Sequence, residues 1–95
     1  MTTQQIGDHR KEVPAWSIRA KSLRRTFEFQ GFLDSVKFVR QIATKAEKLN
    51  HHPDIDIRFD KVTLTLTTHD EGGITEKDFV LAKQCDAVFA KSFKP

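Results

Sequence analysis

Three stretches of this chain alternate apolar and polar residues, and two others repeat apolar residues at spacings of three and four. From Leu23 to Gln30, Phe27 and Phe29 alternate with Thr26, Glu28 and Gln30, the two-residue period of a half-buried strand. Trp16 and Ile18 share a face just upstream. Trp16–Ala20 and Leu23–Gln30 therefore predict an antiparallel hairpin that turns near Lys21 and Ser22. Gly31 ends the alternation. The next apolar residues are Phe32, Leu33, Val36, Val39, Ile42, Ala43, Ala46 and Leu49, one stripe along a long helix. Asp34 in its first turn and Lys45 and Lys48 near its end suit the helix dipole. Asn50 fits a left-handed cap, and Pro53 prevents the helix from continuing.

Ile55, Ile57 and Phe59 then alternate with Asp56 and Arg58. Val62, Leu64, Leu66 and Thr68 alternate with Thr63, Thr65 and Thr67. The pair predicts a second hairpin with Asp60-Lys61 as its two-residue connection, although Asp-Lys is a poorer turn than Asp-Gly. That register sets Phe59 opposite Val62, Ile57 opposite Leu64, Ile55 opposite Leu66 and Pro53 opposite Thr68. His69–Gly73 reads as a loop. Thr75-Glu-Lys-Asp78 matches a capping box with Asp in the place of Glu or Gln. A second helix then runs to about Phe93, with Phe79, Leu81, Ala82, Cys85, Val88 and Phe89 on its apolar side. The order β-β-α-β-β-α predicts an α+β domain: a four-stranded antiparallel sheet with two helices packed on one face. Residues 1–13 read as a polar N-terminal arm, and residues 14–95 as a single domain.

Composition narrows the function classes. Ninety-five residues with 38% apolar and 31% charged content describe one globular domain. Eight Phe, one Trp and no Tyr place most rings in a core or an interface, since Phe offers no hydroxyl. Trp16 reads as a core or rim aromatic. The net charge is +3. The one local basic cluster, Arg19, Lys21, Arg24 and Arg25, reads as a solvated strand face and not as a nucleic-acid surface. The single cysteine, Cys85, excludes an intrachain disulfide and a cysteine-based zinc site, and its spacing makes it a small buried hydrophobe. No run approaches the ~20 apolar residues of a membrane span, and the first residues lack a signal-peptide pattern, so a cytoplasmic location is expected.

The chemistry gathers at Glu47-Lys-Leu-Asn-His51-His52-Pro53 and at Thr67-Thr68-His69. Continued past Pro53, the predicted register sets His52 opposite His69, with Cβ atoms ~5 Å apart. His51 lines the same mouth from another side. Protonated imidazoles repel, so such a cluster should hold a neutral ring beside a charged one, a general base beside a general acid. That suits a dehydration, in which one group protonates a leaving hydroxyl and another removes a proton from the neighbouring atom. Three clustered imidazoles can also bind zinc, but adjacent histidines are an awkward chelating pair and no orienting carboxylate is evident. Glu47, one turn before His51, can orient an imidazole or pair with surface lysines. Asp78 reads as a helix-start residue, and His9 as an inert member of the arm.

These residues closely resemble the pterin-4a-carbinolamine dehydratase family. Its pattern is a charged residue, His-His-Pro after three positions, an aromatic, a His and then an Asp. Here it reads Glu47, His51-His52-Pro53, Phe59, His69 and Asp78. The likeness runs from about Trp16 to Phe93. It implies a four-stranded antiparallel sheet with helices on one side, assembled as homodimers or homotetramers by joining sheet edges and packing helices. It implies loss of water from a 4a-hydroxytetrahydropterin to give the quinonoid dihydropterin, without a metal or organic cofactor, recycling the pterin used by aromatic amino-acid hydroxylases. The pterin would contact Asn50, His51, His52 and Pro53, with Thr67, Thr68, His69 and Asp70. His51, His52 and His69 would carry the catalysis: His51 and His69 by acid–base work in an order left open, His52 by positioning the pterin. The alternative on the same fold is a non-catalytic dimerisation cofactor of a transcription factor. Two departures stand out. Animal members have an N-terminal helix that is shortened or absent here, and an aromatic where this chain has Ile55.

Overall fold

The computed structural model describes residues 1–93, so the last two residues of the expected 14–95 domain lie outside the described residues. Its elements are α1 (Thr3–Arg10), β1 (Ser17–Arg19), β2 (Ser22–Glu28), α2 (Phe32–Leu49), β3 (Asp54–Arg58), β4 (Lys61–Leu66), a 3₁₀ turn at His69–Glu71, and α3 (Glu76–Ser92). The four strands form one antiparallel sheet in the order β1-β2-β4-β3. This is the expected α+β arrangement, with one helix more. Trp16, Leu23, Phe27, Val62, Leu64 and Leu66 meet Phe38, Ile42, Phe79, Leu81 and Cys85 in a single core. The other sheet face is polar, and Thr26 and Thr63 hydrogen-bond across it at 2.8 Å.

The expected polar arm is folded over much of its length. Thr2 and Gln5 form a reciprocal capping box that starts α1. His9 stacks on Phe79 with ring centroids 5.1 Å apart, Ile6 packs against the core, and Val13 is buried in it. Lys83 of α3 also pairs with Glu12 at 2.9 Å. Polar composition hid this segment because Ile6 and Val13 are its only apolar residues to reach inward, and the third contact is made by His9.

The α2 boundaries match the expectation, but its buried stripe is rotated. Ser35, Phe38, Ile42 and Ala46 face the core, while Phe32, Leu33 and Val36 face outward. The helix carries two adjacent apolar strips, and periodicity alone does not choose between them. Ser35 helps to decide it: its hydroxyl donates to the Phe59 carbonyl at 2.9 Å, which brings α2 close to the turn after β3.

The second hairpin turns one residue earlier than expected, at Phe59-Asp60 in place of Asp60-Lys61, which shifts each pairing by two. Ile57 pairs with Val62, Ile55 with Leu64 and Arg58 with Lys61. Phe59 and Asp60 form the turn, with Phe59 in the left-handed region at φ 54°. Alternation cannot place a non-glycine residue there, because that conformation is costly for most side chains. A slip of two preserves the faces, so the inward and outward assignments survive. β3 is the sheet edge and all its residues are exposed. Ile55 and Ile57, expected in the core, therefore form an outer apolar strip beside that of α2.

Arg24 and Arg25 also separate. Arg24 is exposed, whereas the Arg25 guanidinium lies 4.1 Å from the Phe27 ring centroid and pairs with Asp86 at 2.6 Å. The expected basic cluster is thus not wholly solvated, although Arg19, Arg24 and Arg25 still line one shallow cleft.

Candidate active site

The site begins where α2 ends. Asn50 takes the left-handed conformation (φ 50°), and its N–H turns back onto α2, donating to the Glu47 carbonyl at 3.2 Å. The His51 N–H donates to the Ala46 carbonyl at 3.0 Å. This cap swings His51 and His52 out of the helix and delivers the chain to β3. On the facing side β4 runs out at Leu66. The Thr67 hydroxyl donates to the Lys21 carbonyl at 2.7 Å, and Thr68 and Gly73 exchange backbone hydrogen bonds. That bridge closes a short loop whose 3₁₀ turn carries His69.

Asn50, His51, His52, Thr67, His69 and Asp70 line one cleft of about 240 Å³. The three histidines expected to meet therefore do meet. The slipped register does not separate them, because the ladder stops at Asp54 and Thr65 and the last residues are placed by the cap and the loop. Pro53 is half-buried and does not line the cleft. A second cleft of about 250 Å³, lined by Leu49, Glu76, Lys77 and Val80, shares His51 as a wall and contains no other imidazole.

Two of the imidazoles have carboxylate partners: Glu47, which the sequence offered as a residue that can orient an imidazole, and Asp78, which it read as a helix-start residue. His51 Nε2 lies 2.5 Å from Asp78 Oδ1, and the Asp78 side chain is fully buried. His52 Nε2 pairs with Glu47 in an exposed position. Asp78 does begin α3, as expected, because its Oδ2 accepts the Thr75 N–H at 2.9 Å. The same carboxylate orients His51, so the two readings of Asp78 are both true. An ionised carboxylate only accepts, so His51 Nε2 carries the proton in this pair. Its Nδ1 is left to serve as acceptor in the neutral ring. His69 is exposed, and its ring has no hydrogen-bond or ion-pair partner among the described residues.

Thr68 is not among the residues that line the cleft. It is buried, and its hydroxyl meets Asp78 Oδ2 at 3.0 Å and Thr75 Oγ1 at 2.7 Å, behind His51. Thr75, which sequence reasoning treated only as a cap, belongs to the same cluster. Its signal was present in the capping-box spacing, but nothing local says that a cap will touch an imidazole from another element. Among the described residues, no three His, Cys, Asp or Glu side chains form a group suited to a metal ion.

The profile described as "Pterin 4 alpha carbinolamine dehydratase" matches residues 1–88. The chain belongs to that family. The match includes α1. A relative from Mycobacteroides abscessus, named "Putative pterin-4-alpha-carbinolamine dehydratase", is 49% identical over 86 residues, which cover 90% of this chain and 92% of that one. A relative of the same name from Acidobacterium capsulatum is 44% identical over 88 residues, covering 93% and 96%. Among solved structures, the fold is similar to a transcriptional coactivator/pterin dehydratase from Brucella melitensis. That likeness has a TM-score of 0.89 and 31% identity, and covers 93% of this chain and 96% of that one. A pterin dehydratase-like protein described as a RuBisCO assembly factor in the alpha-carboxysome shares the fold at a TM-score of 0.65 and 23% identity. That match covers 81% and 89%. The dehydratase fold thus occurs in proteins described by more than one role, and the cleft residues of this chain must carry the argument for activity.

Proposed function

We propose that the protein is a hydro-lyase that dehydrates a 4a-hydroxytetrahydropterin, such as the biopterin 4a-carbinolamine, to the quinonoid dihydropterin and water. The observation that carries this reading is the cleft itself. Three imidazoles line it, one held by a buried carboxylate and one by an exposed carboxylate. A purely structural member of the family has no need of three imidazoles gathered in one cleft, nor of the exposed Glu47–His52 pair.

In this reading His51 is the base. Asp78 holds its Nε2–H, and Nδ1 accepts the N5 proton of the substrate. The N5 electron pair forms the bond to C4a, and the C4a–O bond breaks. His69, free to exchange protons with water, donates to the departing hydroxyl. His52, steadied by Glu47, positions the pterin ring with Asn50, Thr67 and Asp70. Proton exchange with solvent restores both rings. Such a protein would recycle the pterin of an aromatic amino-acid hydroxylase, a role suited to the cytoplasm. No helix among the described residues is long and apolar enough to cross a membrane.

The outer apolar strip supports a second copy of the chain as partner. Phe32, Leu33, Val36, Ile55, Ile57 and Phe59 are all exposed, on α2, the edge strand β3 and the turn after it. An uncovered edge strand is a template for pairing, and a homodimer or homotetramer would cover both features. The same strip could instead receive another protein in a dimerisation-cofactor role.

A stopped-flow assay tests the activity. Addition of the protein should accelerate the loss of 4a-hydroxytetrahydropterin in proportion to its concentration. An unchanged rate across pH 6–9, roughly the range in which histidine titrates, would refute the enzymatic reading and leave the interaction role.

A further inference from the structure

We infer that Thr68 is a positioning residue. It is the middle member of a directed hydroxyl chain that fixes which nitrogen of His51 faces the substrate. The inference rests on the dehydratase reading and goes behind its catalytic groups.

Thr68 Oγ1 has one proton and two near neighbours, Asp78 Oδ2 at 3.0 Å and Thr75 Oγ1 at 2.7 Å. The carboxylate can only accept, so the Thr68 proton points to Asp78. The Thr75 hydroxyl must then donate to Thr68. The Thr75 oxygen accepts the Lys77 N–H at 3.3 Å from its other side. Every proton in the chain runs one way, from Thr75 to Thr68 to Asp78.

The consequence falls on the carboxylate. Oδ2 accepts two donors, the Thr68 hydroxyl and the Thr75 N–H. Oδ1 is left for His51. Asp78 is fully buried, and no buried side-chain polar atom among the described residues lacks a partner. Removing the Thr68 donor would leave Oδ2 of the fully buried carboxylate with one donor where it now has two. A carboxylate that loses a donor binds a proton more tightly. The proton between Asp78 and His51 would then be held more firmly than in the intact chain.

The side chain of Thr68 therefore does not bind pterin. It sets the ring orientation and proton position of His51 through Asp78. A hydroxyl that contacted the substrate would affect KM first. A positioning hydroxyl should affect kcat and its pH dependence.

The test compares wild type, Thr68→Val, which keeps the shape and removes the donor, and Thr68→Ser, which keeps the donor. Thr68→Val should lose about tenfold or more in kcat with KM within about twofold, and the limb of its kcat–pH profile that reports the His51–Asp78 pair should move to higher pH. Thr68→Ser should restore both. A ¹⁵N NMR titration of the His51 ring supplies a readout independent of turnover. In Thr68→Val its midpoint should rise by the same amount, and in Thr68→Ser it should match wild type. If wild type shows no turnover, the dehydratase reading fails while the NMR comparison still decides the role of Thr68. If wild type turns over and neither kcat nor the His51 titration changes in Thr68→Val, the inference is overturned. Should Thr68→Val not fold, the hydroxyl proton of Thr68 in wild type decides. A slowly exchanging resonance whose shift follows the His51 titration supports the chain, and a rapidly exchanging one overturns it.

Discussion

The indole N–H of Trp16 donates to Oδ1 of Asp86 at 2.8 Å, joining the start of β1 to the middle of α3. The same oxygen accepts from Arg25 at 2.6 Å. One carboxylate oxygen thus satisfies a fully buried indole and anchors a strand arginine. Asp86→Ala removes both contacts and leaves the indole donor unpartnered, which typically costs about 1–3 kcal/mol. In a domain of this size that corresponds to a fall in Tm of ~4–8 °C per kcal/mol. Urea unfolding and thermal scans should record the loss. Unchanged stability would mean that water or a repacked ring replaces the carboxylate.

Asp78→Asn separates the two duties of Asp78. The amide oxygen can still accept the Thr75 N–H and hold the start of α3. Its NH₂ then faces His51 Nε2, which must become the acceptor, so the ring carries its neutral proton on the wrong nitrogen. Dehydratase kcat should fall by ~10²–10⁴, the range of general acid–base terms. Far-ultraviolet circular dichroism should remain that of wild type. A variant with wild-type turnover would remove His51 from the role of base.

Ile57→Glu places a charge on the exposed edge strand without touching the cleft. If a second copy covers this strip, sedimentation velocity should show wild type as a dimer or tetramer and Ile57→Glu as a smaller species. Identical sedimentation of the two would place any assembly elsewhere.

Burial pushes the Cys85 thiol up to about 12 from an ordinary 9.0, since the charged thiolate loses its hydration in the core. The folded state holds the proton more tightly than the unfolded chain. This contribution to stability is fully present below pH 9, and is lost progressively as pH rises from about 9 to about 12. The urea midpoint should therefore decline across that range, with a shallower decline in Cys85→Ala. At pH 8 a thiol reagent should leave the native protein unmodified and label the unfolded chain. Rapid labelling of native protein would contradict the buried position.

Much of this structure was legible because the strands and helices have clean periods. The ends of α2, the capping box of α3 and the left-handed Asn50 all follow from local chemistry. The convergence of His51, His52 and His69 was legible too, although the register that suggested it was two residues out. What escaped notice depends on contacts between distant elements. His51 and Asp78 stand 27 positions apart in sequence, and no hairpin count connects an α2 exit to an α3 cap. The choice between two apolar strips on α2 needed the Ser35 contact with Phe59. α1 escaped because a short polar helix docked through His9 and Ile6 leaves little mark on a hydropathy pattern.

Asp78 also bears on how the family can diverge. A mutation that weakens the start of α3 at this position also disorients an imidazole, and one that abolishes the chemistry here also loosens a helix. Relatives that have given up catalysis would still be expected to retain an acceptor at this position. Its presence alone is therefore a poor guide to activity in such a protein. The residues whose loss would record a change of role are those with no second duty in the fold, and among the three imidazoles that describes the exposed His69 best.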